Sequence, residues 1–220
     1  MEREKMAATR LGRNRMVPID ARRLTALYKP DAKAPVLIEV PPMRFLQLEG
    51  AGDIGGPTFQ EAVAALYSLA YAVKFAAKKR LGLSYKVAPL EGLYWPADAD
   101  SAFDPEDRAS LSWRLMIMLP DEVSEELVEQ MREKVAAKKN PARLADIRIQ
   151  TFSEGTSVQI LHLGPYSDEA SRVQRLFDFA EEHGYDITGD HHEIYLGDPN
   201  RAATEKLKTV LRYGVRKARR

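Results

Sequence analysis

The sequence contains no cysteine. That removes disulfides, thiolate metal sites and a thiolate nucleophile together, and it fits a reducing cytosol. No apolar run approaches the roughly 18 residues that a membrane-spanning helix needs, and the first twenty residues have no apolar centre of the signal-peptide kind. An excess of one charge is also missing: 33 Lys and Arg face 32 Asp and Glu, for a formal net charge of +1. No field of the whole molecule therefore recommends nucleic acid or an anionic membrane as partner. The expectation is a cytoplasmic protein with neither as a direct partner. Aromatic residues make up only 8% of the chain, so the places where they gather are informative.

What is present suits an ordinary globular domain. With 220 residues, 45% of them hydrophobic, the chain is long enough for one substantial core or two small ones on a common plan. Basic residues crowd both ends, from Arg3 to Arg23 and from Lys206 to Arg220. No helix-turn-helix pattern or aromatic interleaving accompanies them, and they read as solvated tails or helix faces. Residues 1–23 are expected to be a disordered basic tail, followed by a single domain over 24–215.

The period of the apolar residues sets the elements. Val36 to Val40 and Arg44 to Glu49 read as strands on either side of Pro41-Pro42. Thr58 and Glu61 have the spacing of a capping box and announce a helix with an apolar stripe from Phe59 to Ala77. Along that helix Tyr67, Tyr71 and Phe75 form an aromatic ladder at four-residue spacing, fit either for core packing or for a pocket wall. Strands are expected at Ser84 to Val87, Leu90 to Trp95 and, most clearly, Leu111 to Leu119, where Leu111, Trp113, Leu115, Ile117 and Leu119 share one face. A second helix should begin near Asp121. Two strands flank Glu154-Gly155, and a third helix follows a cap at Ser167 or Asp168. The stretch Lys206 to Arg212 reads as an edge strand.

The stretch His191-His192-Glu193-Ile194-Tyr195-Leu196 draws the eye. Alternation on a strand puts Glu193 and Tyr195 on one face and Ile194 and Leu196 on the other. A carboxylate and a phenol on one surface suit a flat, cationic or electrophilic small molecule, provided that the surface is an apolar cleft and not a solvated strand face. Adjacent histidines point to opposite faces and make poor joint metal ligands, so neither a metal nor another cofactor is expected. Glu91 reads either as a second pocket carboxylate or as a buried strand-end residue bonded to backbone.

The order strand, glycine-rich turn, helix, two strands occurs twice. Phe45 to Gly50 leads through a helix to Glu91 to Trp95, and Ile160 to Gly164 leads through another to His192 to Leu196. Two such modules, about 36–119 and 120–212, would pair with a cleft at their seam, and they make Trp95 and Tyr195 counterparts. With Leu27-Tyr28-Lys29-Pro30, Val40-Pro41-Pro42-Met43, Leu66 to Tyr71, Pro89 to Trp95, Gly164-Pro165-Tyr166, Glu193 to Leu196 and Lys208 to Arg212, the chain resembles the GyrI-like small-molecule-binding proteins, stand-alone branch. The resemblance implies an α+β fold: a duplicated strand-helix-strand-strand module, a mainly antiparallel sheet with helices on one side, and a ligand cleft between the halves. It also implies a pocket acid at Glu193 with Tyr195, Trp95, Tyr71 and Trp113 as walls. Read from the residues themselves, Tyr195 is the expected partner of Glu193 in chemistry, and Tyr67, Tyr166 and Glu91 are further candidate ligand-binding residues. The function implied is binding of aromatic or cationic small molecules, with hydrolysis of cyclopropane-containing DNA-alkylating compounds. The alternative is a non-catalytic multidrug-binding or sensing module.

Overall fold

The structure, a computed structural model, describes residues 21–98, 103, 109, 111–197 and 203–219. Most of the expected basic tail, most of the 96–106 loop and the pair Asp198-Pro199 lie outside the described residues. The strands are β1 (Val36–Val40), β2 (Met43–Ala51), β3 (Leu90–Pro96), β4 (Leu111–Leu119), β5 (Arg148–Phe152), β6 (Gly155–Leu163), β7 (Tyr185–Ile187), β8 (His191–Tyr195) and β9 (Lys208–Lys217). Eight of them run in the order β1-β6-β9-β8-β3-β4-β2-β5, and β7 pairs with the end of β9. The pairings are antiparallel throughout, which gives an α+β fold built on an antiparallel sheet.

The order is symmetric about the central pair β3·β8. On one side lie β4 and β2, on the other β9 and β6, each set bound to its centre strand in the same sequence. The leading strands cross over: β1 pairs with β6, and β5 pairs with β2. Each half thus supplies the outermost strand of the other.

Four helices pack against the sheet: α1 (Ala21–Tyr28), α2 (Pro57–Leu81), α3 (Glu125–Lys138) and α4 (Ala170–Glu182). Helices α2 and α3 cover Leu46, Leu48, Trp113, Leu115 and Ile117. On the same face α4 covers Val158, Ile160, Leu211 and Tyr213 through Leu176 and Ala180. Alternation along each strand sends the other residues to the far face, where Leu27 of α1 packs on Phe45, Leu93 and Met116. The helices that straddle the seam are therefore on one side, as the repeat requires, and the short α1 is the exception.

Several local expectations change. Helix α2 starts at Pro57 behind an extended Gly56, without a side-chain cap; proline at the first helical position needs no N–H partner and begins the helix ahead of the Thr58–Glu61 box. Ser124 caps α3 by accepting from the Leu127 N–H at 3.2 Å, so that helix begins later than Asp121. The segment Ser84 to Val87 forms no ladder, and residues 86–89 border a cavity instead. Strand β9 is central: Thr209 to Arg212 are buried between β6 and β8, which bond it on both sides, and the burial continues to Val215.

Candidate functional site

Helices α2 and α4 stand apart over the β3·β8 seam, and the space between them is a cavity of about 1790 Å³. From α2 it is walled by Phe59, Val63, Tyr67 and Tyr71, and from α4 by Val173 and Phe177. The aromatic ladder forms as the spacing predicts, with Tyr67–Tyr71 and Tyr71–Phe75 centroids at 6.1 and 6.4 Å and ring planes 29° apart. Tyr71, 45% exposed, stands at the mouth. The floor comes from the strands: Tyr94 of β3, His191, Glu193 and Tyr195 of β8, and Tyr213 of β9. Tyr166 and Glu169, just ahead of α4, complete the wall.

Period-two alternation on β8 delivers His191, Glu193 and Tyr195 to the cavity and His192 and Ile194 to the far face. His191 Nε2 donates to Glu193 Oε1 at 2.9 Å, and its Nδ1 meets the Tyr213 hydroxyl at 2.6 Å. With the ring proton on Nε2 directed at Glu193, Nδ1 is left to accept from the Tyr213 hydroxyl. The Tyr94 and Tyr195 hydroxyls are 2.5 Å apart, and Tyr195 also bonds to Glu193. Two hydrogen-bonded arms therefore converge on one carboxylate. Burial first, and then the Glu193 charge, push the Tyr94, Tyr195 and Tyr213 phenols above their usual range. At neutral pH these hydroxyls stay protonated and serve as donors. Phe103 stacks on His191 with centroids 5.0 Å apart, and Tyr166 meets Tyr195 edge-on at 5.9 Å.

Glu193, Tyr195, Tyr67, Tyr71 and Tyr166 thus come together at the cavity and Trp95 also borders it, while Trp113 and Glu91 do not line it. Trp113 is wholly buried beneath α2, edge-on to Phe59 at 5.3 Å. Its ring lies over its register partner Gly50, where any Cβ would overlap it. It is a core residue. Trp95 borders the cavity at the end of β3, but its ring packs with the far-face cluster under the Arg114 guanidinium, 5.9 Å from the centroid. Glu91 faces away from the cavity and is wholly buried. It accepts from the Tyr28 hydroxyl at 2.6 Å and lies 3.1 Å from His192 Nε2.

That far-face contact belongs to a buried ionic network. His192 Nδ1 is 3.0 Å from Glu154 Oε2, and Arg212 donates to Glu154 at 3.4 Å, to Gln159 at 3.0 Å and to the Leu27 carbonyl at 2.7 Å. A histidine with a carboxylate at each nitrogen must donate from both, which makes it an imidazolium. Burial alone lowers the His192 pKa, but Glu154 and Glu91 outweigh it and raise it to about 9. Burial likewise raises Glu154, yet His192 and Arg212 hold it below the usual carboxylate range. The network fixes α1 to the back of the sheet and supports the strand that carries Glu193.

An antiparallel α+β domain with an acid-floored, aromatic-walled cavity at the seam of its halves is a receptor for small molecules. The family model for the GyrI-like small molecule binding domain matches residues 33–214, and the chain belongs to that family. An uncharacterized conserved protein from Listeria innocua is 37% identical, with a TM-score of 0.82 and coverage of 89% of this chain and 98% of its own. A hydrolase from Listeria innocua is 35% identical, with a TM-score of 0.78 and coverage of 89% and 98%. Another hydrolase from the same organism is 35% identical, with a TM-score of 0.79 and coverage of 89% and 97%. No curated protein gives a significant match. No helix among the described residues is long and apolar enough to cross a membrane.

Proposed function

We propose that the protein hydrolyses planar, electrophilic small molecules, specifically cyclopropanes fused to a conjugated ring of the kind found in DNA-alkylating compounds. The observation that carries this reading is the Glu193 carboxylate on an aromatic floor, tied by Tyr195 and Tyr94 to a chain of protonated phenols. A proton acceptor and a proton donor stand side by side there, in a space wide enough for a polycyclic ligand.

The substrate ring lies against Tyr67 and Tyr71 with its strained carbon toward Glu193. Water attacks that carbon while Glu193 takes the water's proton. The carbon–carbon bond breaks, and its electron pair moves through the conjugated system to the ring oxygen. Tyr195 gives that oxygen a proton and recovers one from Glu193, so the balance is the addition of one water. His191, braced by Tyr213, orients the carboxylate. The description of two Listeria relatives as hydrolases at 35% identity supports the class of reaction.

The test is turnover of a cyclopropane-fused dienone followed by mass spectrometry. The reading expects a product heavier by one water, lost with Glu193→Gln while ligand-induced quenching of aromatic fluorescence persists. Ligand recovered unchanged, with saturable quenching, would replace the hydrolase by a non-catalytic binding module. Undiminished turnover by Glu193→Gln would remove this carboxylate from the reaction.

A further inference from the structure

The same floor carries a second arrangement. Glu169, placed just before α4, and His191 and Glu193, both on β8, each offer one donor atom, and these atoms all lie within 4.8 Å of one another. We propose that Glu169, His191 and Glu193 form a binding site for a divalent transition-metal cation such as Zn²⁺ or Co²⁺ at the base of the cavity.

The donor set is two carboxylate oxygens and one imidazole nitrogen, a combination suited to first-row divalent ions. Ligand atoms around one such ion lie about 3–4 Å apart, so small rotations of the two glutamate side chains close the set. His191 Nε2 and Glu193 Oε1 already approach to 2.9 Å with a proton between them. The ion takes that place, the ring proton resides on Nδ1, and Nδ1 then donates to the Tyr213 hydroxyl.

The surroundings are those of a supported site. A ligating histidine is held through its other ring nitrogen by an outer partner, and here Nδ1 is fixed by Tyr213 at 2.6 Å. Glu193 is held in turn by Tyr195. Glu169 and His191 are 7% and 5% exposed, so the ligands are shielded, while the positions they leave open face the cavity. Among the described residues lining that cavity, Lys86 is the one lysine or arginine, against Glu169, Asp190 and Glu193. The lining is anionic, and a dication offsets it. His183 does not share the arrangement: it lies at the end of α4, exposed.

The inference goes beyond the hydrolytic reading and does not rest on it, although the two share Glu193. The experiment reads binding without turnover: untagged, chelator-stripped protein is titrated with Co²⁺, followed by visible absorption and equilibrium dialysis. One ion per chain with ligand-field bands is expected, and Zn²⁺ should displace it. Glu169→Gln and His191→Gln should each weaken binding by about tenfold or more, with melting curves to show that both variants fold. Absence of stoichiometric binding overturns the proposal. Affinity unchanged in a folded Glu169→Gln variant does so as well, because it places the ion elsewhere, for instance on His183.

Discussion

The Tyr94 and Tyr195 hydroxyls meet at 2.5 Å although the two residues are not register partners. Tyr94 stands opposite His191 and Tyr195 opposite Leu90, with the Gly92–Glu193 pair between them. To reach Tyr195, the Tyr94 side chain lies back along its own strand over Gly92, where a Cβ would overlap the phenol. The absence of a side chain at Gly92 is what lets the two halves share this hydrogen bond.

Gly92→Ala should therefore act on the site through Tyr94. It should cost about 1–3 kcal/mol from overpacking and lower turnover to the level of Tyr94→Phe. In a double-mutant cycle the cost of Gly92→Ala should largely vanish on a Tyr94→Ala background. Thermal melts of the four proteins measure this, and additive losses would refute the coupling.

Removing the Tyr195 hydroxyl takes away the proton donor and leaves Tyr94 facing a ring edge. Tyr195→Phe should reduce turnover by about 100-fold or more and cost about 1 kcal/mol of stability. Ligand affinity, measured by fluorescence quenching, should change little.

Much of this floor is written in the sequence with a period of two. Alternation alone sets Glu193 beside Tyr195 and separates His191 from His192, and it aligns Leu111 to Leu119 as observed. The matching of the two repeats, by contrast, is loose by one residue, and a one-residue shift on a strand changes the face: Tyr94, not Trp95, meets Tyr195. Trp113 does point to the helix side, but which part of that side is core and which is cavity depends on Gly50 and Phe59, residues far off in the chain. Glu169 reads in the sequence only as an acidic residue at the start of the third helix; it is the residue just before α4 and reaches the site only when α4 packs. The Tyr213 contact with His191 and the crossing of β1 and β5 are pairings between distant segments, which local periodicity does not encode.

Stability should depend on pH through the far-face network. The His192 pKa is raised from 6.5 to about 9 on folding, so its contribution is fully present below about pH 6.5 and is lost as pH rises through about 9. Glu154 is held below its unfolded value, so its contribution is present above the ordinary carboxylate range and is lost as pH falls through its lowered pKa. The melting temperature should be highest between these limits. His192→Gln should cost about 3–5 kcal/mol at pH 6 and flatten the alkaline limb of the melting profile; a limb that persists in the variant would assign it to another group.

Trp113→Ala should cost about 3–5 kcal/mol, as expected for a large buried ring, without weakening ligand binding by the protein that remains folded. Tyr71→Ala should do the reverse: near-native melting, and aromatic-ligand affinity reduced several-fold. Parallel calorimetric and fluorescence titrations distinguish the core ring from the mouth ring.

The crossing of β1 and β5 bears on how the molecule could be divided or could have arisen. A chain severed near Asn140-Pro141 would yield fragments that each retain a strand belonging to the other's edge. Neither should be well behaved alone, whereas co-expression should let them recombine into an active pair. By the same logic a single-copy ancestor would have existed as an intertwined homodimer, and gene fusion would have made its reciprocal strand exchange internal to one polypeptide.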